Sequence, residues 1–244
     1  MSWPQVRAVL DAGMRTALFA VGSTEQHGPH LPLQTDALLG EAIVTALAPR
    51  LPGTVLAPTI PVGVSPHHMA FPGTVTLDVA TFQGVVERCV ESLAVHGFTT
   101  VLVVPSHGGN FAPLRELEER TGGTIGGARF VPYTDLLEFV GVLEAVGQDD
   151  GIPPEVSGSH AGESETSLVL ALRPDLVDMD AAVAGFDRRL DDATAARLFA
   201  HGTDALSPVG VLGDARPATA ERGHRYLEAL VGLLQRFFED ALRG

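Results

Sequence analysis

Ala17-Leu18-Phe19-Ala20-Val21-Gly22-Ser23-Thr24-Glu25-Gln26-His27-Gly28-Pro29-His30-Leu31-Pro32 is the stretch on which the reading of this chain turns. Its first five residues are uninterrupted and apolar, the pattern of a strand buried on both faces of a parallel sheet. The polar segment that follows carries Glu25, His27 and His30, with Asp36 close behind at the start of a helical pattern. Carboxylate oxygens and imidazole nitrogens are the ligands of zinc, manganese and iron. Side chains two apart in an extended segment point the same way, so Glu25 and His27 can face one centre. A carboxylate at Asp36 could bridge two metals.

Two further segments repeat this arrangement. Val101-Leu102-Val103-Val104-Pro105 reads as a second buried strand and runs into Ser106-His107-Gly108-Gly109-Asn110, where Asn110 can cap the next helix. Ser159-His160-Ala161-Gly162-Glu163-Ser164-Glu165-Thr166-Ser167 precedes another apolar helix and adds a histidine and two carboxylates. A single histidine of this kind is more often structural than a ligand. Three clusters, two of them directly after strands, favour a site, because ligands of open α/β sheets bind at the carboxyl ends of the strands.

Together these segments resemble the creatininase family of metal-dependent amidohydrolases. The matching residues are Gly22 to Gly28 with Asp36, Phe71-Pro72-Gly73-Thr74, His107-Gly108-Gly109-Asn110, and His160-Ala161-Gly162 with Glu165-Thr166-Ser167. The similarity runs from about Ala17 to the Gly210-Val211-Leu212-Gly213-Asp214 stretch. It implies a three-layer α/β/α fold with a mostly parallel sheet, two divalent metals per chain, hydrolysis of a C–N bond in an amide or cyclic amide, and a homo-oligomer, expected to be a hexamer. In creatininase a glutamate two residues after the second-segment histidine is a ligand. Here that position is Gly109, a departure that argues against strict creatinine hydrolysis. Glu165 is the candidate replacement, with Glu163 behind it.

The expected ligand division is Glu25, Asp36 and His107 on one ion, and His27, Asp36 and Glu165 on the other. Zinc is the first expectation, with manganese or iron acceptable to the same donors. His160, outside that set, is expected to be the general acid that protonates the departing amine. Ser65, His68, Gly108, Asn110 and Glu163 are expected to touch substrate. Three rivals remain. One is a peptidase, because the family includes a member that trims the mycofactocin precursor peptide. Another is a metal-stabilised oligomer without catalysis, which the carboxylate-rich, cysteine-free donor set disfavours. The last is Ser–His–Asp chemistry, for which the Gly-x-Ser-x-Gly elbow is missing.

Composition narrows the partners. The chain has 244 residues, 45% of them apolar and 19% charged, enough for one domain spanning 1–244 with a full core. Its net charge of −14 argues against nucleic acid, which calls for a basic footprint. Lysine is absent, so Schiff-base, pyridoxal-phosphate and phosphate-loop chemistry are excluded. One cysteine, Cys89, rules out an intrachain disulfide and reads as a small core residue. No apolar run is long enough to span a bilayer, and a signal-peptide pattern is lacking, so no membrane association and a cytoplasmic location are expected. Trp3, Tyr133 and Tyr226 read as packing residues, and His96, His201 and His224 as structural. Strand is expected at 16–21, 55–57, 75–77, 100–104 and 129–131. Helix is expected at 36–47, 78–96, 111–119, 134–146, 165–172 and 219–242.

Overall fold

The structure, a computed structural model, describes residues 1–188 and 192–243. The chain begins with helix α1 (Trp3–Asp11) and enters strand β1 (Thr16–Val21). Then follow α2 (Thr35–Leu47), β2 (Thr54–Leu56), α3 (Val79–Val95), β3 (Thr100–Pro105) and α4 (Phe111–Thr121). A short hairpin, β4 (Thr124–Ile125) and β5 (Ala128–Pro132), leads to α5 (Leu136–Asp149) and the single turn α6 (Pro154–Ser157). Helices α7 (Glu163–Leu172), α8 (Asp192–His201) and α9 (Ala220–Arg243) complete the order.

The strands form one sheet in the order β2-β1-β3-β5-β4, parallel throughout except for β4 against β5. The apolar runs of β1 and β3 sit side by side at its centre, Thr16 against Thr100 and Val21 against Pro105. Their alternate residues feed two cores. Leu18, Ala20, Leu102 and Val104 pack under α2, α5, α7 and α9. Ala17, Phe19, Val101 and Val103 pack under α1, α3 and α4. This is the expected α/β/α arrangement, with each fully buried Leu, Val or Phe contributing about 1.5–3 kcal/mol.

Caps set several boundaries. The Asp78 carboxylate accepts the Thr81 amide at 2.7 Å and starts α3, and Gly97, at φ 105°, follows its end. Asp135 accepts the Glu138 amide, so α5 begins at Leu136 rather than at Thr134. The expected strand at 75–77 does not join the sheet. Val75 makes only an isolated bridge to Thr24, and the Leu77 amide donates to the Gly63 carbonyl, which pins the segment over the site loop. Trp3 is 80% exposed and is not a packing residue, whereas Tyr133 and Tyr226 are buried. Cys89 is half-buried against the core. Among the described residues, no helix is long and apolar enough to cross a membrane.

Candidate metal centre

Both central strands deliver the site at their carboxyl ends. The chain leaves β1 through Gly22, where any Cβ would lie 2.6 Å from the Ala37 amide nitrogen. Only glycine permits this approach, which sets the first turn of α2, and hence Asp36, against the Glu25–His27 loop. The loop after β3 supplies His107. The first turn of α7 supplies Glu165, and its neighbour Ala161 holds φ 52°, a left-handed conformation that costs a non-glycine residue about 1 kcal/mol. The Ala161 amide donates to Glu165 Oε2 at 2.5 Å.

The five expected ligands converge. His27 Nε2 lies 3.2 Å from Asp36 Oδ1 and 3.8 Å from Glu165 Oε2. His107 Nδ1 lies 3.3 Å from Glu25 Oε1 and 3.4 Å from Asp36 Oδ2. The two oxygens of Asp36 therefore face different histidines. Metal–ligand distances near 2.1 Å give tetrahedral edges of about 3.4 Å, so these spacings suit donors around a common ion. Each histidine has its outer nitrogen committed to a backbone carbonyl: His27 Nδ1 donates to Glu25 O at 3.1 Å, and His107 Nε2 to Val64 O at 3.0 Å. Both inner nitrogens are thereby left to bind a cation.

The unpaired atoms make the case for a metal. Glu25 Oε1 and Oε2, His27 Nε2 and Asp36 Oδ2 are buried without a hydrogen bond. Orphaned buried polar atoms are costly, and a pair of divalent cations would satisfy all four. The protonation equilibria carry the same message. Burial works against a charge on His27, yet Asp36, Glu165 and Glu25 outweigh it and raise its pKa to about 10. Burial opposes the charge on His107 as well, and Glu25 and Asp36 overcome it, raising its pKa well above the usual value. Burial pushes the Glu165 carboxyl up to about 7. The carboxylates demand positive charge, and in the metal-free protein protons supply it.

His160 and His68 join the same centre. His160 Nε2 donates to Gln26 O at 2.7 Å, and its Nδ1 lies 3.6 Å from Glu25 Oε1. Burial, with His27 beside it, lowers the His160 pKa to about 3. His68 Nε2 lies 3.3 Å from Glu25 Oε1, and burial lowers its pKa as well. Glu25, Asp36, His107, His160, Glu165 and Gly108 line a cavity of about 420 Å3 whose outer wall includes Leu136, Leu137, Arg188 and Phe199.

Three expected substrate contacts are corrected. The Glu163 carboxylate is buried and taken up by Arg222 Nε at 2.5 Å, Tyr226 OH at 2.6 Å and Ser167 Oγ at 2.6 Å, so it ties α7 to α9. Asn110 neither reaches the cavity nor caps α4. Its Oδ1 accepts the Val64 amide, and its Nδ2 donates to the carbonyls of Val21 and Gly22, locking three loops together. Ser65 Oγ lies 2.5 Å from Ser23 Oγ and 3.2 Å from His107 Nε2, so it supports a histidine from behind. Ser106 Oγ donates to the Asp36 carbonyl at 2.7 Å and is no free nucleophile. His30 is held by Thr166 outside the cluster.

Gly109 is also explained locally. A Cβ there would collide with the Val64 carbonyl and come within 2.5 Å of His107 Nε2. Any side chain at 109 would disturb the hydrogen bond that orients His107. Glu165 instead brings a carboxylate to the centre from α7.

Sequence reasoning missed α1, α8 and Gln26. The wall formed by Ala195, Leu198 and Phe199 of α8 carries no polar motif that could have flagged it. Gln26 lay within the first motif, but its role depends on residues far away in the chain.

A mostly parallel α/β sheet with a buried carboxylate–imidazole cluster at its strand ends defines a metallohydrolase-type architecture. The comparisons make it specific: the creatininase (creatinine amidohydrolase) family profile matches residues 1–238, and the chain belongs to that family. The mycofactocin precursor peptide peptidase of Mycobacterium ulcerans is 35% identical over 225 residues, covering 88% of this chain and 80% of that protein. The creatinine amidohydrolase of Pseudomonas putida is 29% identical over 248 residues, covering 95% and 91%. Among solved structures, a creatininase mutant of Zn–Zn type has a TM-score of 0.75 at 28% identity, covering 99% of this chain and 96% of that chain. The manganese form of creatininase matches equally, with a TM-score of 0.75, 28% identity and the same coverage. This chain is a creatininase-family hydrolase.

Proposed function

We propose that the chain, as one catalytic unit, hydrolyses an amide C–N bond using two divalent metals bound by Glu25, His27, Asp36, His107 and Glu165. The observation that carries this reading is Asp36, whose two carboxylate oxygens face His27 and His107 separately. Two ions there would polarise the substrate carbonyl and lower the pKa of a water molecule. Zinc is the first candidate, with manganese or iron open.

His160 moves the proton. Its Nε2–H is held by Gln26 O, so its bare Nδ1 faces the site and can take a proton from the attacking water. It then acts as the general acid foreseen from the sequence, giving that proton to the amine nitrogen as the C–N bond breaks. The half-enclosed cavity limits access of bulk water, and Gly108, exposed on its lining, leaves open space where a side chain would stand.

Two substrate classes fit, a small or cyclic amide and a short peptide. The peptide reading draws on the apolar outer wall, where Leu137 is 85% and Phe199 65% exposed, and on Arg188, which can meet a substrate carboxylate. It also draws on the similarity to the mycofactocin precursor peptide peptidase. The decisive assay offers metal-reconstituted enzyme cyclic amides, lactams, formamides and short peptides and reads products by mass spectrometry. Turnover of any of these that vanishes with a chelator supports the proposal. Metal-loaded protein inert toward all four classes would sink it. We further propose a cytoplasmic homo-oligomer, expected to be a hexamer. Light scattering that finds monomers at micromolar concentration would count against the assembly.

A further inference from the structure

We propose that Gln26 is a positioning residue that fixes the protons on two site histidines, so that His68 turns an N–H and His160 a lone pair toward the same carboxylate, Glu25. The inference rests on the hydrolase reading only for its kinetic consequence. Gln26 is buried, and the backbone settles its amide orientation. Its Oε1 accepts the Gly28 amide at 2.9 Å, and its Nε2 donates to the Gly210 carbonyl at 3.1 Å. The reverse orientation would oppose donor to donor and acceptor to acceptor.

The remaining proton positions follow. Nε2 of Gln26 has a second hydrogen and no lone pair to offer. His68 Nδ1, at 2.8 Å, must accept it. The Thr203 hydroxyl, 3.2 Å from the same nitrogen, can donate as well. The His68 proton therefore sits on Nε2, the atom 3.3 Å from Glu25 Oε1. Both amide hydrogens of Gln26 are now used, so its 3.0 Å approach to His160 Nε2 is not a hydrogen bond. That nitrogen donates to the Gln26 main-chain carbonyl at 2.7 Å. His160 Nδ1 is left bare, facing Glu25 Oε1. One residue, through its amide group and its carbonyl, gives the centre one donor and one acceptor.

The arrangement has a chemical use. An N–H at His68 turns its positive end toward Glu25 at 3.3 Å without closing a hydrogen bond and can meet negative charge on the reacting group, while the bare His160 nitrogen receives the proton of water. Exchanging the two roles would put the N–H on His160 Nδ1 and take from that residue the lone pair that receives the proton of water.

The test is histidine 15N–1H correlation spectroscopy on the zinc-loaded protein, which needs no substrate and so stands apart from the hydrolase reading. The wild type should show His68 protonated at Nε2 and bare at Nδ1. A proton on His68 Nδ1 in the wild type overturns the inference without any variant. Gln26→Glu, which replaces the donor by an acceptor, should place a proton on His68 Nδ1 and retain bound zinc. Turnover should fall about 10–100-fold with little change in KM, the usual scale for losing a partner that orients site residues. An unchanged His68 spectrum in Gln26→Glu, or a changed spectrum with full turnover, contradicts the proposal.

Discussion

At the scale of single residues, the centre is held by fixing outer nitrogens and leaving inner ones free. His27 and His107 each give one nitrogen to a backbone carbonyl, so the other has no choice of direction. The metal-free protein compensates its carboxylates with protons, and this has a pH consequence. The folded pKa of His27, about 10, lies above the usual 6.5. Its proton therefore stabilises the metal-free fold fully below about pH 6.5, and that stability is lost as pH rises toward 10. A metal must displace this proton. Zinc affinity should rise about tenfold per pH unit for each proton released. Calorimetric titrations at pH 6 and pH 7 check this, and equal affinities would contradict it. His160→Ala should keep most of the metal and lose about a hundredfold or more in rate, the scale of a missing general acid–base. Loss of one ion in that variant, read by elemental analysis, would make His160 a ligand.

At the scale of elements, α7 matters most, because its first turn carries both Glu165 at the centre and Glu163 in the anchor. Glu163 meets Arg222 and Tyr226 of α9, so the longest helix of the chain holds Glu165 in place. Glu163→Ala removes the buried carboxylate from Arg222 and Tyr226, leaving Arg222 the more exposed Asp150 at 3.5 Å, and should destabilise the fold by about 3 kcal/mol. Denaturant unfolding measures this, and a change below about 1 kcal/mol, the range of an exposed ion pair, would refute the anchor. Much of this level was legible in advance. The unbroken apolar runs 17–21 and 101–104 announced central parallel strands, and Asp78 and Gly97 bracketed α3. The convergence of the five candidate ligands was legible because each follows a strand or opens a helix. Glu163 and Asn110 misled because a polar residue inside a motif looks the same whether it faces the cavity or ties elements together. Only the tertiary partners, Arg222 or the carbonyls of Val21 and Gly22, decide which. Val75 to Leu77 has the composition of a strand, yet its backbone partners lie in the loops over the site.

At the scale of the molecule, two cores on either side of one sheet clamp the strand ends, and three distant segments meet there. The Gly210–Asp214 stretch shows how closely they interlock: Leu212 bridges to His160, and the Gly210 carbonyl receives Gln26. A centre assembled from residues 25 to 165 does not exist in the unfolded chain, so metal binding is coupled to folding. Bound zinc should raise the unfolding temperature, with a stabilisation of about 2.7 kcal/mol at a hundredfold excess over its dissociation constant. Family membership and fold rest on the whole chain, whereas the proposed use of two ions rests on five side chains, with Asp36 shared between them. The most direct measurement is a zinc titration of the metal-stripped protein, wild type and Asp36→Ala, by calorimetry with elemental analysis of the product. The account predicts two ions per chain in the wild type and loss of tight binding of both in Asp36→Ala. A single ion in the wild type, or two retained without Asp36, would contradict a carboxylate-bridged pair.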